Sequence, residues 1–240
     1  MFPTLTRLRK TAILIILGKK QEVNVPVMEV ITYGNPEASA ILLQMVGDHD
    51  LAVIENEVRE IRKRTPIDFR LLAVKVNSWN HDLSPWKAPA VFGTEDFRGG
   101  AESTMQEILN LTEDKSKTYY IDGYSLAGLF ALWAACRTDV FQGIAAASSS
   151  VWFPGFTDWL KTQKVQSNAV YLSLGDKEAK TRNPVMATVR DRICEVYAIL
   201  HAQGVHSTLE WNPGNHFLDP DNRIAKAFAW ILHQKERKVK

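Results

Sequence analysis

A chain of 240 residues, 45% of them hydrophobic, is long enough to bury one sizeable core, and a single α/β domain over 1–240 is expected. With 29 Lys and Arg against 27 Asp and Glu the net charge is +2, which gives no field to draw the chain onto nucleic acid or an anionic membrane, so neither is an expected partner. The two cysteines, Cys136 and Cys194, are too few for a disulfide scaffold, and both fall in helical stretches where reduced thiols are expected.

The N-terminus places Arg and Lys ahead of the apolar run "AILIILG", which imitates a secretory leader. That run is short, Lys19 and Lys20 follow at once, and no small-x-small cleavage pattern is present, so a β-strand is expected instead. No apolar stretch reaches the roughly 20 residues of a membrane span. A cytoplasmic location is the expectation.

Strand-like runs then alternate with helical ones: "AILIIL", "VMEVITY", "SAILLQMV", "RLLAVKV", "TYYID", "GIAAASS", "AVYLSLG" and "STLEWN". This alternation predicts an eight-stranded, mostly parallel sheet with helices on both faces. The first two runs are joined by too few residues for a helical crossover, so an antiparallel N-terminal edge is expected. Leu51, Ile54, Val58 and Ile61 share one face of a helix. A second helix is predicted from Asn183 as N-cap and Pro184 at its first position, with Met186, Val189, Ile193, Val196, Tyr197 and Leu200 as its apolar face and Gly204 as its stop.

The segment Gly123-Tyr124-Ser125-Leu126-Ala127-Gly128 lies where "TYYID" gives way to the helical run "LAGLFALWAAC". A serine on such a strand-to-helix turn is held in a strained conformation, and only small residues two before and two after it avoid collisions. Ser125 is the candidate nucleophile. Partners follow in the order acid, then histidine: Asp176 and Glu178 come just after "AVYLSLG", and His216 follows "STLEWNPGN". All would gather at the carboxyl ends of parallel strands, where such sheets bind ligands. Glu178, three residues past the strand-ending Gly175, is favoured as the acid, with Asp176 as the alternative. Of the other histidines, His201, His206 and His233 fit less well, whereas His49 and His81 lie in loops expected near the site. The "DHD" run at 48–50 is too compact to wrap one ion, so no metal is expected. The oxyanion would be held by the backbone N–H of Leu126 and by that of Val46, with Gly47 as fallback.

Three segments, "GYSLAGLFAL", "YLSLGDKE" and "NPGNHF", together resemble the esterase branch of the α/β-hydrolase superfamily, which contains the esterase D-like and enterochelin-esterase-like proteins. "SWNHDLSPWKAPAVFG" is similar to an Asp-Leu-Ser/Thr-Pro segment of that branch, and the resemblance runs from about Tyr33 to the C-terminal helix. It implies the α/β-hydrolase fold and a carboxylic ester hydrolase without metal or organic cofactor, in which Ser125 is nucleophile, His216 base and Glu178 acid. Ala127 stands where the pattern has glycine, and "QMVGDHD" lacks the His-Gly signature of lipases. No arginine-rich pocket is evident, so a siderophore substrate is not implied. "VWFPGFTDWLKTQKVQSN" is too short for a large cap domain, so an open site is expected. Tyr124, Trp79, Trp86, Trp152 and Trp159 are candidates for a pocket accepting a small or aromatic ester. Acyl transfer by the same three residues and an inactive binding module are the rival readings.

Overall fold

The computed structural model describes residues 28–234 with their side chains and, ahead of them, the backbone of three strands, Thr4–Arg7, Lys10–Ile16 and Lys19–Val25. The basic tail after Gln234 lies outside the described residues.

Eight strands form the main sheet: β1 (Thr4–Arg7), β2 (Glu29–Gly34), β3 (Ala40–Val46), β4 (Phe69–Lys75), β5 (Thr118–Tyr124), β6 (Phe141–Ala147), β7 (Ala169–Gly175) and β8 (His206–Asn212). Their spatial order is β1-β2-β4-β3-β5-β6-β7-β8. β3 to β8 run parallel, and β2 pairs antiparallel with both β1 and β4. The antiparallel edge is therefore present, but its members differ from the expected ones. The apolar run at the N-terminus pairs over Lys10–Ile16 with Lys19–Val25 in a separate two-stranded ribbon, and Thr4–Arg7 supplies the edge of the main sheet. Alternation alone could not choose between these partners, because a short connection permits a hairpin with either neighbour.

Each parallel step needs a crossover, and the helices supply it: α1 (Ile54–Arg64), α2 (Ala101–Leu109), α3 (Leu126–Ala134), α4 (Phe156–Lys161) and α5 (Val189–Ala202), with α6 (Pro220–Leu232) after the last strand. Both faces of the sheet are covered, so β3 is buried at every position and its sequence "AILLQMV" is almost continuously apolar. Leu43 and Met45 face α2 to α5, whereas Leu42 and Val46 face α1 and α6. All nine residues of α3 are buried, which accounts for a helix with no charged side chain.

Helix boundaries follow local chemistry. Leu51 sits in a separate short helix, Asp48–Leu51, but still packs on the α1 side. Asn183 does cap: its Oδ1 accepts the N–H groups of Val185 at 3.0 Å and Met186 at 3.1 Å. The first turn is 3₁₀, over Met186–Thr188, and the α-helix begins only at Val189. No helix among the described residues is long and apolar enough to cross a membrane.

Buried carboxyls, those of Glu57 and Asp122 among them, depart from the apolar pattern. Glu57 of α1 is fully buried, held by Gln44 Nε2 at 3.1 Å, and burial pushes its pKa up to about 8. An unfolded chain ionises this group near its ordinary value of 4.5, so stability falls as pH rises from there and the loss is complete above about 8. Glu57→Gln keeps the shape and removes the titration. Its melting temperature should differ little from that of the parent at pH 5 and exceed it increasingly up to pH 8, by about 4 °C or more. Parallel melting curves across that range would refute the assignment.

Candidate active site

The loops at the carboxyl ends of β3 to β8 enclose a cavity of about 450 Å³ lined by His49, Asp50, Trp79, Phe92, Tyr124, Ser125, Ser150, Trp152, Glu178, Met186, Val189, His216, Phe217 and Pro220. Ser125 links β5 to α3 with φ 59° and ψ −121°, a conformation that costs a non-glycine residue on the order of 1–3 kcal/mol. The turn is tight enough to dictate its neighbours. A Cβ at Gly123 would lie 2.1 Å from the Ala127 carbonyl carbon, and one at Gly128 would lie 2.5 Å from Ser149 Oγ. The methyl group of Ala127, by contrast, is accommodated in the core, so the departure from glycine there is tolerated.

Ser125 Oγ lies 3.2 Å from Ser150 Oγ, and Ser150 also donates its N–H to the Ser125 carbonyl at 2.9 Å. No hydrogen bond between Ser125 Oγ and His216 Nε2 is formed among the described residues, although both side chains line the cavity. Catalytic hydrogen bonds in unliganded enzymes often tighten only around substrate.

His216 Nδ1 is 2.7 Å from Glu178 Oε2. Burial alone would raise the Glu178 carboxyl, but hydrogen bonds from His216, the Gly175 N–H and the Ser148 hydroxyl outweigh it and hold the group below its ordinary value. The carboxylate is thus ionised at neutral pH, and the hydrogen it accepts from the imidazole is carried on Nδ1. Gly175 explains why the acid comes three residues later. A Cβ there would sit 2.4 Å from the Gly214 carbonyl oxygen and 2.9 Å from Glu178 Oε1, so only glycine lets the two loops meet. Asp176 does something else: it is exposed, and its Oδ1 accepts the Gly214 N–H at 2.7 Å, tying the acid loop to the histidine loop.

Leu126 opens α3, and its N–H is among the first-turn donors without an intrahelical acceptor. Val46 ends β3; like Leu126 it is fully buried and outside the cavity lining, and its carbonyl accepts the Val76 N–H at 3.0 Å. Gly47 gives its N–H to Asp50 Oδ2 at 2.8 Å. From this loop it is His49 and Asp50 that reach the cavity.

Of the aromatic candidates, Tyr124, Trp79 and Trp152 line the cavity, whereas Trp86 and Trp159 do not. Trp86 donates to the Pro154 carbonyl at 3.0 Å and packs against Phe153 and Trp159, buttressing the loops. Tyr124 donates its hydroxyl to the His216 carbonyl at 2.6 Å, and burial pushes its pKa up to about 12. His81 lies outside the cavity and pairs with Asp82 at 2.8 Å. Among the described residues no group of three or more His, Cys, Asp or Glu side chains is placed to hold a metal ion.

Sequence reading missed Phe92, Met186, Val189, Phe217 and Pro220 as lining residues, and Arg223 behind the site. Phe217 had a usable signal, since it directly follows His216; Arg223 had a weaker one, as a cation in the first turn of α6, where the helix dipole disfavours positive charge.

No protein-family model matches the chain, and no curated protein sequence matches it. Solved structures do. The siderophore hydrolase EstA from Aspergillus nidulans superposes with a TM-score of 0.68 at 16% identity, over 95% of this chain and 93% of that one. The enterobactin esterase FES from Shigella flexneri gives 0.60 at 16% identity, over 93% of this chain and 59% of its own. Est1E from Butyrivibrio proteoclasticus gives 0.56 at 12% identity, over 92% and 97%. The mostly parallel sheet, its antiparallel edge and the helices on both faces are those of an α/β-hydrolase, and this chain has that fold.

Proposed function

We propose that the chain is a serine carboxylic ester hydrolase of the esterase branch, with Ser125 as nucleophile, His216 as general base and Glu178 as its acid partner. The observation that carries this reading is the 2.7 Å contact between His216 and Glu178 beside a serine held at φ 59° on the same cavity. His216 Nε2 takes the Ser125 proton as Oγ attacks the ester carbonyl, and the Leu126 N–H supports the oxyanion. Collapse expels the alcohol, which receives that proton, and leaves an acyl-serine. Water, deprotonated by the same imidazole, then releases the carboxylic acid and restores the serine.

The cavity favours an uncharged ester with an apolar or aromatic group. Its lining includes Trp79, Phe92, Trp152, Met186, Val189 and Phe217, together with the carboxylates Asp50 and Glu178, and contains no Lys or Arg. Phe217 is 85% exposed, so substrate that covers its ring removes apolar surface from water. Phe217→Ala should lower kcat/KM for a phenyl ester about 10-fold more than for ethyl acetate, equal losses being the contrary result. Among the described residues, that lining offers no cationic side chain to an anionic siderophore. The described cysteines Cys136 and Cys194 are unpaired, which suits a reducing compartment, and we place the activity in the cytoplasm.

Rapid mixing with a p-nitrophenyl ester tests the reading. A burst of nitrophenolate equal to the enzyme concentration, followed by slower release of free acid, is expected. Alkyl ester as the main product when an alcohol is added would make the protein an acyltransferase, and no turnover at all would favour a binding module.

A further inference from the structure

Arg223, in the first turn of α6, is 2% exposed. A guanidinium stays charged at any pH the protein meets, and burying it is costly unless its N–H groups find acceptors. Here they do. One terminal nitrogen lies 2.8 Å from Glu178 Oε1, 3.0 Å from Ser148 Oγ and 3.1 Å from the Tyr124 hydroxyl, three acceptors that share its two hydrogens. The other donates to the carbonyls of Pro213 and Asn215, each at 2.9 Å.

These acceptors fall into two sets that meet at one hydrogen bond. Glu178 Oε1 also accepts from Ser148 Oγ at 2.8 Å and from the Gly175 N–H at 2.6 Å. With three donors on Oε1 the carboxylate cannot swing, and Oε2 is left facing His216 Nδ1. The carbonyls of Pro213 and Asn215 belong to the loop that leads directly into His216, and Tyr124, itself bonded to Arg223, holds the His216 carbonyl. A tie between loops would need only the carbonyl contacts. The first nitrogen, aimed at Glu178, goes further. Gly175 makes room for this meeting, since a Cβ there would lie 3.0 Å from the guanidinium. Arg223 itself does not line the cavity.

We infer that Arg223 is a positioning residue: through its fork on Glu178 and on the 213–216 loop it fixes both partners of the His216–Glu178 hydrogen bond. The inference rests on the esterase reading for its kinetic consequence, but not for its structural one. In the folded wild type, proton NMR should show a downfield Nδ1–H resonance from His216, and Arg223→Met should broaden or lose it. In the same variant kcat should fall about 10- to 100-fold, with KM changed less than about twofold. The acid limb of kcat/KM should move to higher pH, because the groups facing Glu178 would then be His216 and the Tyr124 hydroxyl without a fixed cation, which eases protonation of the pair. Arg223→Lys keeps the charge without the fork and should retain the resonance while recovering part of kcat.

A folded Arg223→Met protein with an unchanged resonance overturns the proposal, whether or not esters are turned over. Should that variant fail to fold, Arg223→Lys decides, since it keeps the cation and loses the fork: wild-type kcat overturns the proposal, and a lowered kcat with KM and the acid limb little changed upholds it. Wild-type protein that shows the resonance but hydrolyses no ester sinks the esterase reading alone, and the resonance in the variant still decides the role of Arg223.

Discussion

Ser125→Ala should lower turnover of a p-nitrophenyl ester by about 10⁴-fold or more, toward the level left by binding and oxyanion contacts alone. The variant is a clean one, because alanine keeps the Cβ and hence the backbone strain of the elbow. Only the hydroxyl and its 3.2 Å contact with Ser150 are lost. Stability should therefore change by less than about 1 kcal/mol. Ser125→Gly makes the complementary point. Glycine takes φ 59° and ψ −121° without penalty, so this variant should be as inactive and yet about 1 kcal/mol more stable, as read by urea unfolding. An active Ser125→Ala enzyme would remove the nucleophile from the account, and a destabilised Ser125→Gly would remove the strain.

Glu178→Gln should be the second most damaging change, with kcat down by about 10³- to 10⁴-fold. The amide can donate to His216 Nδ1, which favours the tautomer with its proton on Nε2 and so disables the base. Asp176→Asn separates the two acids of the loop. It weakens the acceptor for the Gly214 N–H but leaves the 2.7 Å contact between Glu178 and His216, so a loss below about 10-fold is expected. Assay of both variants under identical conditions ranks the acids, and the reverse order would assign Asp176 to His216.

Much of this was legible in the chain because the constraints are local. Gly123 and Ser125 declare the elbow, and Gly175 marks where the acid loop turns back, since a side chain at either glycine would strike backbone within 2.4 Å. The parallel strands are visible as apolar runs because both their faces are covered. What escaped depends on contacts distant in sequence. Register choice put Thr4–Arg7 rather than 12–17 at the sheet edge, and nothing in local pattern separates two short antiparallel partners. Backbone donors carry no side-chain signature, so Val46 and Gly47 could not be told from their neighbours; Gly47 proves to be committed to Asp50. Trp86 and Trp159 share the composition of pocket residues but spend their rings on loop packing. Arg223 becomes meaningful only once the fold brings it back to Glu178 across a sequence separation of 45.

The most direct test of the central claim is intact-mass and peptide analysis after exposure to an alkyl fluorophosphonate. The account predicts one adduct per chain, on Ser125, formed at a rate that His216→Ala lowers by about 10²-fold or more. No adduct, or an adduct on Ser150 with Ser125 unmodified, would contradict it.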